Sequence, residues 1–175
     1  MARKTAIEFD AQCDVAALVY RKPDEADRLL SDFGQNLASS GYRVVGLIQT
    51  RLANGSAAVV VLPTGETIPL AKSSSRLCEL APAAARVDVL IEAGADLVII
   101  NRFGTLEAGG QGLVDEMALA IRRDIPVVIA VPEFRFSEWL SFCHGMAVKL
   151  PCQDGMLRAW WKGTILGGAE LRGHV

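Results

Sequence analysis

Four short, unbroken apolar runs constrain this chain more than any other feature: 15–20 (Val-Ala-Ala-Leu-Val-Tyr), 44–48 (Val-Val-Gly-Leu-Ile), 97–100 (Leu-Val-Ile-Ile) and 127–131 (Val-Val-Ile-Ala-Val). A strand solvated on one face alternates apolar and polar residues, whereas a strand buried on both faces reads as a continuous apolar run. Helical patterns separate the runs. Pro23 and Asp24 open a helix with Leu29, Leu30, Phe33 and Leu37 on one face, and Gly41 stops it. Pro82 is expected to start a second helix carrying Val87, Leu90 and Ile91. A third runs from about Leu113 to Arg123, and a short one carries Phe136, Trp139, Leu140 and Cys143 before a last strand at Met146 to Leu150. Alternating strands and helices with short connections predict an α/β fold: a three-layer, mostly parallel sheet with helices on both faces. The strands expected at Ala57 to Leu62 and Glu66 to Leu70, turning at Pro63-Thr64-Gly65, form an antiparallel edge hairpin.

At 175 residues, 51% of them hydrophobic, the chain reads as one α/β domain spanning 1–175, with frayed tails at 1–13 and 166–175. A formal net charge of −2 argues against general nucleic-acid binding. No run approaches the roughly 20 apolar residues of a membrane span, and the N-terminus lacks a secretory pattern, so a cytoplasmic protein is expected. The four cysteines, Cys13, Cys78, Cys143 and Cys152, form no C-x-x-C pair. No structural metal site or disulfide framework is expected, and the thiols read as mostly buried.

In an open α/β sheet, ligands bind beyond the carboxyl ends of the strands. That rule selects three segments: Arg21–Asp24, the residues after Gln49, and Asn101–Gly112. The first would carry a phosphate-binding P-loop, but it reads Arg21-Lys22-Pro23-Asp24-Glu25, without a glycine. Asp24, Glu25 and Asp27 place negative charge at the positive end of the helix, which stabilises the helix and opposes a phosphate. Arg21 and Lys22 remain able to touch an anion from the side. The third segment holds Gly104, Gly109, Gly110 and Gly112 just before a helix start, a geometry that favours anions. Asn101 ends a buried strand, Arg102 supplies a planar cation, and Glu107 is placed to orient Arg102, ligate a metal or activate water. Gly104, Gly110 and Gly112 are expected to let the backbone approach a ligand. The polar loop Lys72-Ser73-Ser74-Ser75-Arg76 offers hydroxyls and two cations to an oxyanion, through Lys72, Ser74 and Arg76, or is simply solvated. Cys78 is either a small buried hydrophobe or a thiol activated by Arg76. Cys143 and His144, adjacent on a helix, point about 100° apart and are a poor nucleophile pair. Trp160 and Trp161 read as packing or interface residues.

The segment Asn101-Arg102-Phe103-Gly104, with Glu107, Gly110 and Gly112, resembles a bacterial family, domain of unknown function 2478. Tyr20, Gly46-Leu47-Ile48-Gln49, Arg76-Leu77-Cys78, Pro126-Val127, Ala130-Val131, Trp139 and Phe142 agree, so the resemblance covers most of 14–150. It implies a layout similar to P-loop nucleoside triphosphatases of the small, THEP-like kind. By position, Asn101 stands where those enzymes carry a magnesium-associated aspartate, and Glu107 where they carry a later glutamate. This chain lacks both that aspartate and the P-loop lysine, and both losses weaken phosphoryl transfer. The family is often encoded near molybdate uptake or molybdoenzyme functions, which implies a role in molybdate handling by association.

Three functions follow. The first is a binding or regulatory protein that holds a nucleotide, with or without Mg, or a small oxyanion at Asn101, Arg102, the glycine loop, Gln49 and the serine loop. The second is a nucleotide or phosphoester hydrolase with Glu107 as general base. The third is an interaction protein that assembles, with itself or a partner, through the Trp160-Trp161 tail.

Overall fold

The four apolar runs lie side by side as parallel strands at the centre of one sheet. A computed structural model describes residues 14–70 and 76–172, the side chains of 76–79 and 168–172 excepted. Its strands are β1 (Val15–Tyr20), β2 (Val44–Arg51), β3 (Ala57–Leu62), β4 (Glu66–Pro69), β5 (Leu97–Ile100), β6 (Val127–Pro132) and β7 (Val148–Pro151). They form a seven-stranded sheet in the order β4-β3-β2-β5-β6-β1-β7. The β2–β3 and β3–β4 pairs are antiparallel, so the expected edge hairpin is present; the other pairs are parallel.

The helices are α1 (Pro23–Ser39), α2 (Arg76–Glu92), α3 (Thr105–Ala108), α4 (Val114–Arg122), α5 (Phe136–Phe142) and α6 (Asp154–Arg172). Two apolar clusters, one on each face of the sheet, show why the central runs do not alternate. In β6, Val127, Ile129 and Val131 join Val87, Ile91, Met117 and Trp139 from α2, α4 and α5. Val128 and Ala130 of the same strand join Leu30, Phe33, Leu157 and Trp160 from α1 and α6. All six β6 residues are buried. Phe33 is among the largest fully buried side chains, and truncating such a residue to alanine costs about 3–5 kcal/mol.

Gly46 sits at the closest approach of two strands. It pairs with Ile99 of β5 at φ +145°, and a Cβ there would stand 1.9 Å from the Ile99 carbonyl oxygen. Glycine is required at this position for contact as well as for backbone conformation.

Four local expectations are corrected. Pro82 lies inside α2 rather than at its start. An interior proline costs about 3 kcal/mol; buried contacts of Leu80, Ala83, Val87 and Ile91 on one side of the helix offset it. The backbone of 166–172 is helical, as the end of α6, where a frayed tail was expected. Within the Asn101–Gly112 loop, 105–108 form the helical turn α3. Trp160 and Trp161 are 1% and 6% exposed and pack beneath the sheet, Trp161 edge-on to Tyr42 at 5.3 Å, which withdraws them from the interface expected of the tail.

Candidate functional site at the strand ends

Because β1, β2, β5 and β6 run parallel, their carboxyl ends share one edge of the sheet. Two backbone bonds fix the chain leaving β5 there. Asn101 N–H donates to the Leu47 carbonyl at 3.1 Å, and Phe103 N–H donates to the Ala130 carbonyl at 2.8 Å. Residues 101–103 are therefore laced to β2 on one side and β6 on the other. The Phe103 ring is fully buried and stacks edge-on against Trp139 at 5.2 Å.

This lacing turns the Asn101 side chain into the protein. Asn101 is 2% exposed, and neither its Nδ2 nor its Oδ1 has a partner among the described residues. An amide buried without partners costs about 1–3 kcal/mol, so such a group calls for an explanation. The side chain lines a cavity of about 100 Å³ that also meets Gln49, Arg102, Gly104 and Glu107, with Leu47, Val59, Leu80 and Leu113 as apolar walls. Gln49 and Arg102 also border a wider recess of about 470 Å³, lined on its far side by Asp24, Asp27, Thr50 and Arg51.

Arg102 is held by α1 rather than by Glu107. Its Nη2 lies 3.4 Å from both carboxylate oxygens of Asp27, and its guanidinium carbon is 6.0 Å from the Tyr20 ring centroid. Its Nε is buried without a partner among the described residues. Burial pushes the Asp27 carboxyl above its usual range, against the opposing pull of Arg102.

Glu107 has a different task from those the sequence assigned to it. It is 5% exposed; Oε2 accepts the Gly104 N–H at 2.8 Å and Oε1 accepts the Leu113 N–H at 3.2 Å. The carboxylate thereby ties the start of α3 to the start of α4. The helix-entry N–H groups expected to face an anion are partly taken by this internal carboxylate, which offers the same charge to the same helix ends. Gly110 and Gly112, at φ +75° and +69°, shape the loop and do not line the cavity. Gly104 does line it, although its N–H is used by Glu107.

At the position of a P-loop, Arg21 makes a two-pronged ion pair with Glu133 at 2.7 and 3.0 Å, and Lys22 stands 3.5 Å from Glu25. Both cations expected to meet an anion from the side are engaged within the protein. Lys72 and Ser74 lie outside the described residues, as does the side chain of Arg76, which begins α2, and that of Cys78. Of the site residues expected from the sequence, the structure brings together Gln49, Asn101, Arg102, Gly104 and Glu107.

Sequence reasoning missed three neighbours. Asp27 was assigned only to the helix start, although its place one turn into α1 faces the strand ends. Thr105 lines the cavity, and its hydroxyl accepts from Arg135 Nη2 at 2.9 Å. Glu116, in the first turn of α4, is 5% exposed with Oε2 unpartnered among the described residues. Burial raises its pKa above the ordinary value, with Asp88, Asp115 and Glu107 adding to the shift against a backbone hydrogen bond. A carboxylate in the first turn of a helix is so common that the sequence carried no signal for this one. Among the described residues, no group of three or more His, Cys, Asp or Glu is placed to hold a metal ion.

The fold is similar to that of THEP1 from the hyperthermophile Aquifex aeolicus, with a TM-score of 0.58 over 79% of this chain and 90% of that one, at 12% identity. That likeness concerns the fold and agrees with the P-loop NTPase-like layout implied by the resemblance. The sequence is 38% identical, over 180 residues and 93% of this chain, to a protein of Bradyrhizobium diazoefficiens named Molybdenum import ATP-binding protein ModC 2. The match covers 20% of that relative, so this chain corresponds to about a fifth of its length. The model of the family described as "Protein of unknown function (DUF2478)" matches residues 15–160, the span that holds the sheet, the Asn101–Arg102 cavity and the Glu107 tie, and the chain belongs to that family.

Proposed function

We propose that this chain is a ligand-binding, regulatory protein that holds a small oxyanion, free or as the terminal group of a nucleotide, at the strand ends, and that it serves molybdenum import. The observation that carries this reading is the Asn101 amide, 98% removed from solvent and unpartnered beside the cavity (2% exposed). The Arg102 Nε, also unpartnered, and the Gln49 amide supply further donors at the same place.

Size decides between ligands. A cavity of about 100 Å³ has room for an oxyanion or roughly three waters. Pockets that enclose larger ligands run from about 300 to 1,000 Å³, so the body of a nucleotide would occupy the outer recess of about 470 Å³. A nucleotide held as in P-loop enzymes, with phosphates on the start of α1, does not fit: Pro23 has no N–H to offer, and Asp24 and Glu25 repel the charge. Magnesium in the manner of those enzymes does not fit either, since Asn101, a neutral amide, stands where they carry a carboxylate, and Glu107 is turned to the backbone N–H groups of Gly104 and Leu113. The link to molybdenum rests on the relative's name and on the family resemblance. The geometry favours a structural role for Glu107 over that of a general base, because the carboxylate is 5% exposed and each of its oxygens already accepts a backbone N–H.

A thermal-shift panel tests the proposal, with ATP, GTP, their diphosphates, phosphate, sulfate, molybdate and tungstate. A ligand at a hundredfold excess over its Kd stabilises the folded state by about 2.7 kcal/mol. The expected result is a rise in Tm with an oxyanion or a nucleotide that disappears in Arg102→Ala. No shift with any member of the panel would overturn the reading.

A further inference from the structure

A second opening lies on the α2–α4–α5 face, away from the strand-end site. Helices α4 and α5 both rest on β6 and leave between them a groove of about 590 Å³. Met117, Ala118 and Ile121 of α4 form one wall, Trp139 and Phe142 of α5 the other, and Ile125 lies at its base. The lining is open to solvent at Ile121, 47% exposed, and Met146, 72%, and Leu140 on α5, outside the groove, is 43% exposed. Exposed apolar side chains around an open groove mark interaction sites.

The polar residues indicate the partner's charge. Asp14 and Asp124 line the end of the groove nearest the start of β1 and β6, and among the described residues no lysine or arginine lines it. Burial, and then the charge of Asp124, push the Asp14 carboxyl above its usual range, and no cation contributes to that shift. Among the described residues the two carboxylates thus stand together without a counter-ion, in contrast to Arg21–Glu133, Arg86–Glu66 and Arg123–Glu92 elsewhere on the surface. The length suits a helix: the nine residues of α4 span about 13 Å, two to three turns.

We propose that the groove between α4 and α5 is the docking site for an amphipathic helix of a partner protein, whose apolar face fills the space between Met117, Ile121, Trp139 and Phe142 and whose lysine or arginine pairs with Asp14 and Asp124. Apolar helix faces in hydrophobic grooves are a recurrent recognition mode, and charges at the rim set its specificity. This site is independent of the strand-end cavity. Its wall nevertheless meets the site loop, because Trp139 packs on Phe103, the residue after Arg102.

The test uses the full chain and two labelled model peptides of roughly 14 residues, one built from leucine and lysine as an amphipathic helix and one with glutamate in place of lysine. Fluorescence anisotropy is expected to show saturable binding of the lysine peptide and none of the glutamate peptide. Asp14→Asn with Asp124→Asn should weaken binding about tenfold, and Ala118→Trp, which fills the groove, should remove it while far-UV circular dichroism stays unchanged. Equal binding of both peptides, or binding indifferent to both variants, overturns the proposal. So does self-association of the chain that Ala118→Trp abolishes, which would make a second copy the occupant.

Discussion

Gly112 passes so close to Glu107 that a methyl group on the glycine would lie 2.1 Å from the carboxylate Oε1. The same glycine stands at φ +69°, where side chains are rarely accommodated. The tie between α3 and α4 depends on both features. Gly112→Ala is expected to destabilise the protein by about 2–4 kcal/mol, combining backbone strain of about 1–3 kcal/mol with loss of the Leu113 N–H bond. Urea unfolding measures this as a lower midpoint with an unchanged slope. A midpoint within error of the parent's would show that the tie contributes nothing.

Asn101→Leu separates stability from binding. The leucine is close to asparagine in size and removes two unpartnered polar atoms from the core edge, so the ligand-free protein should melt at the same temperature or higher, with a gain of up to about 2 kcal/mol. The thermal shift produced by oxyanions should vanish. A variant that melts higher and still responds to ligand would remove Asn101 from the site.

Glu116 gives the protein a pH dependence with a defined sign. Its folded pKa is raised, so the folded state holds a proton that the unfolded state releases. Its favourable contribution is complete below the ordinary carboxylate pKa and is lost as pH rises through the raised value. Glu116→Gln should therefore stabilise the chain by about 1 kcal/mol at pH 8 and make little difference at pH 4. Denaturant titrations of both proteins at the two pH values provide the comparison, and a difference that does not change with pH would contradict the assignment.

Much of the architecture was legible because its signal is local. A run such as 127–131 declares burial on both faces by lacking alternation, and the two clusters flanking β6 bear this out. The edge hairpin was likewise readable from its turn residues. Of the candidate site, what the sequence made legible was which residues would be neighbours. Asn101, Arg102, Gly104, Glu107 and Gln49 do converge, as expected of polar residues at neighbouring strand ends. Their roles were not legible. Glu107 looked like an acid or base because carboxylates at strand ends often are, yet each of its oxygens accepts a backbone N–H, from residues three and six positions away. The glycines after it looked like an anion cradle, and one of them, Gly112, instead makes room for that carboxylate.

The sequence alone determined the α/β class, the mostly parallel sheet buried on both faces and its antiparallel edge hairpin, because periodicity and turn chemistry are properties of neighbouring residues. Only the tertiary structure decided that Arg102 is held by Asp27, 75 residues away, that Arg21 is committed to Glu133 across 112 residues, and that Asn101 is left with an unsatisfied amide. Hydrogen bonds and ion pairs act over about 3 Å. Which groups come that close is set by how the strands stack and the helices cross, and sequence spacing does not carry that information.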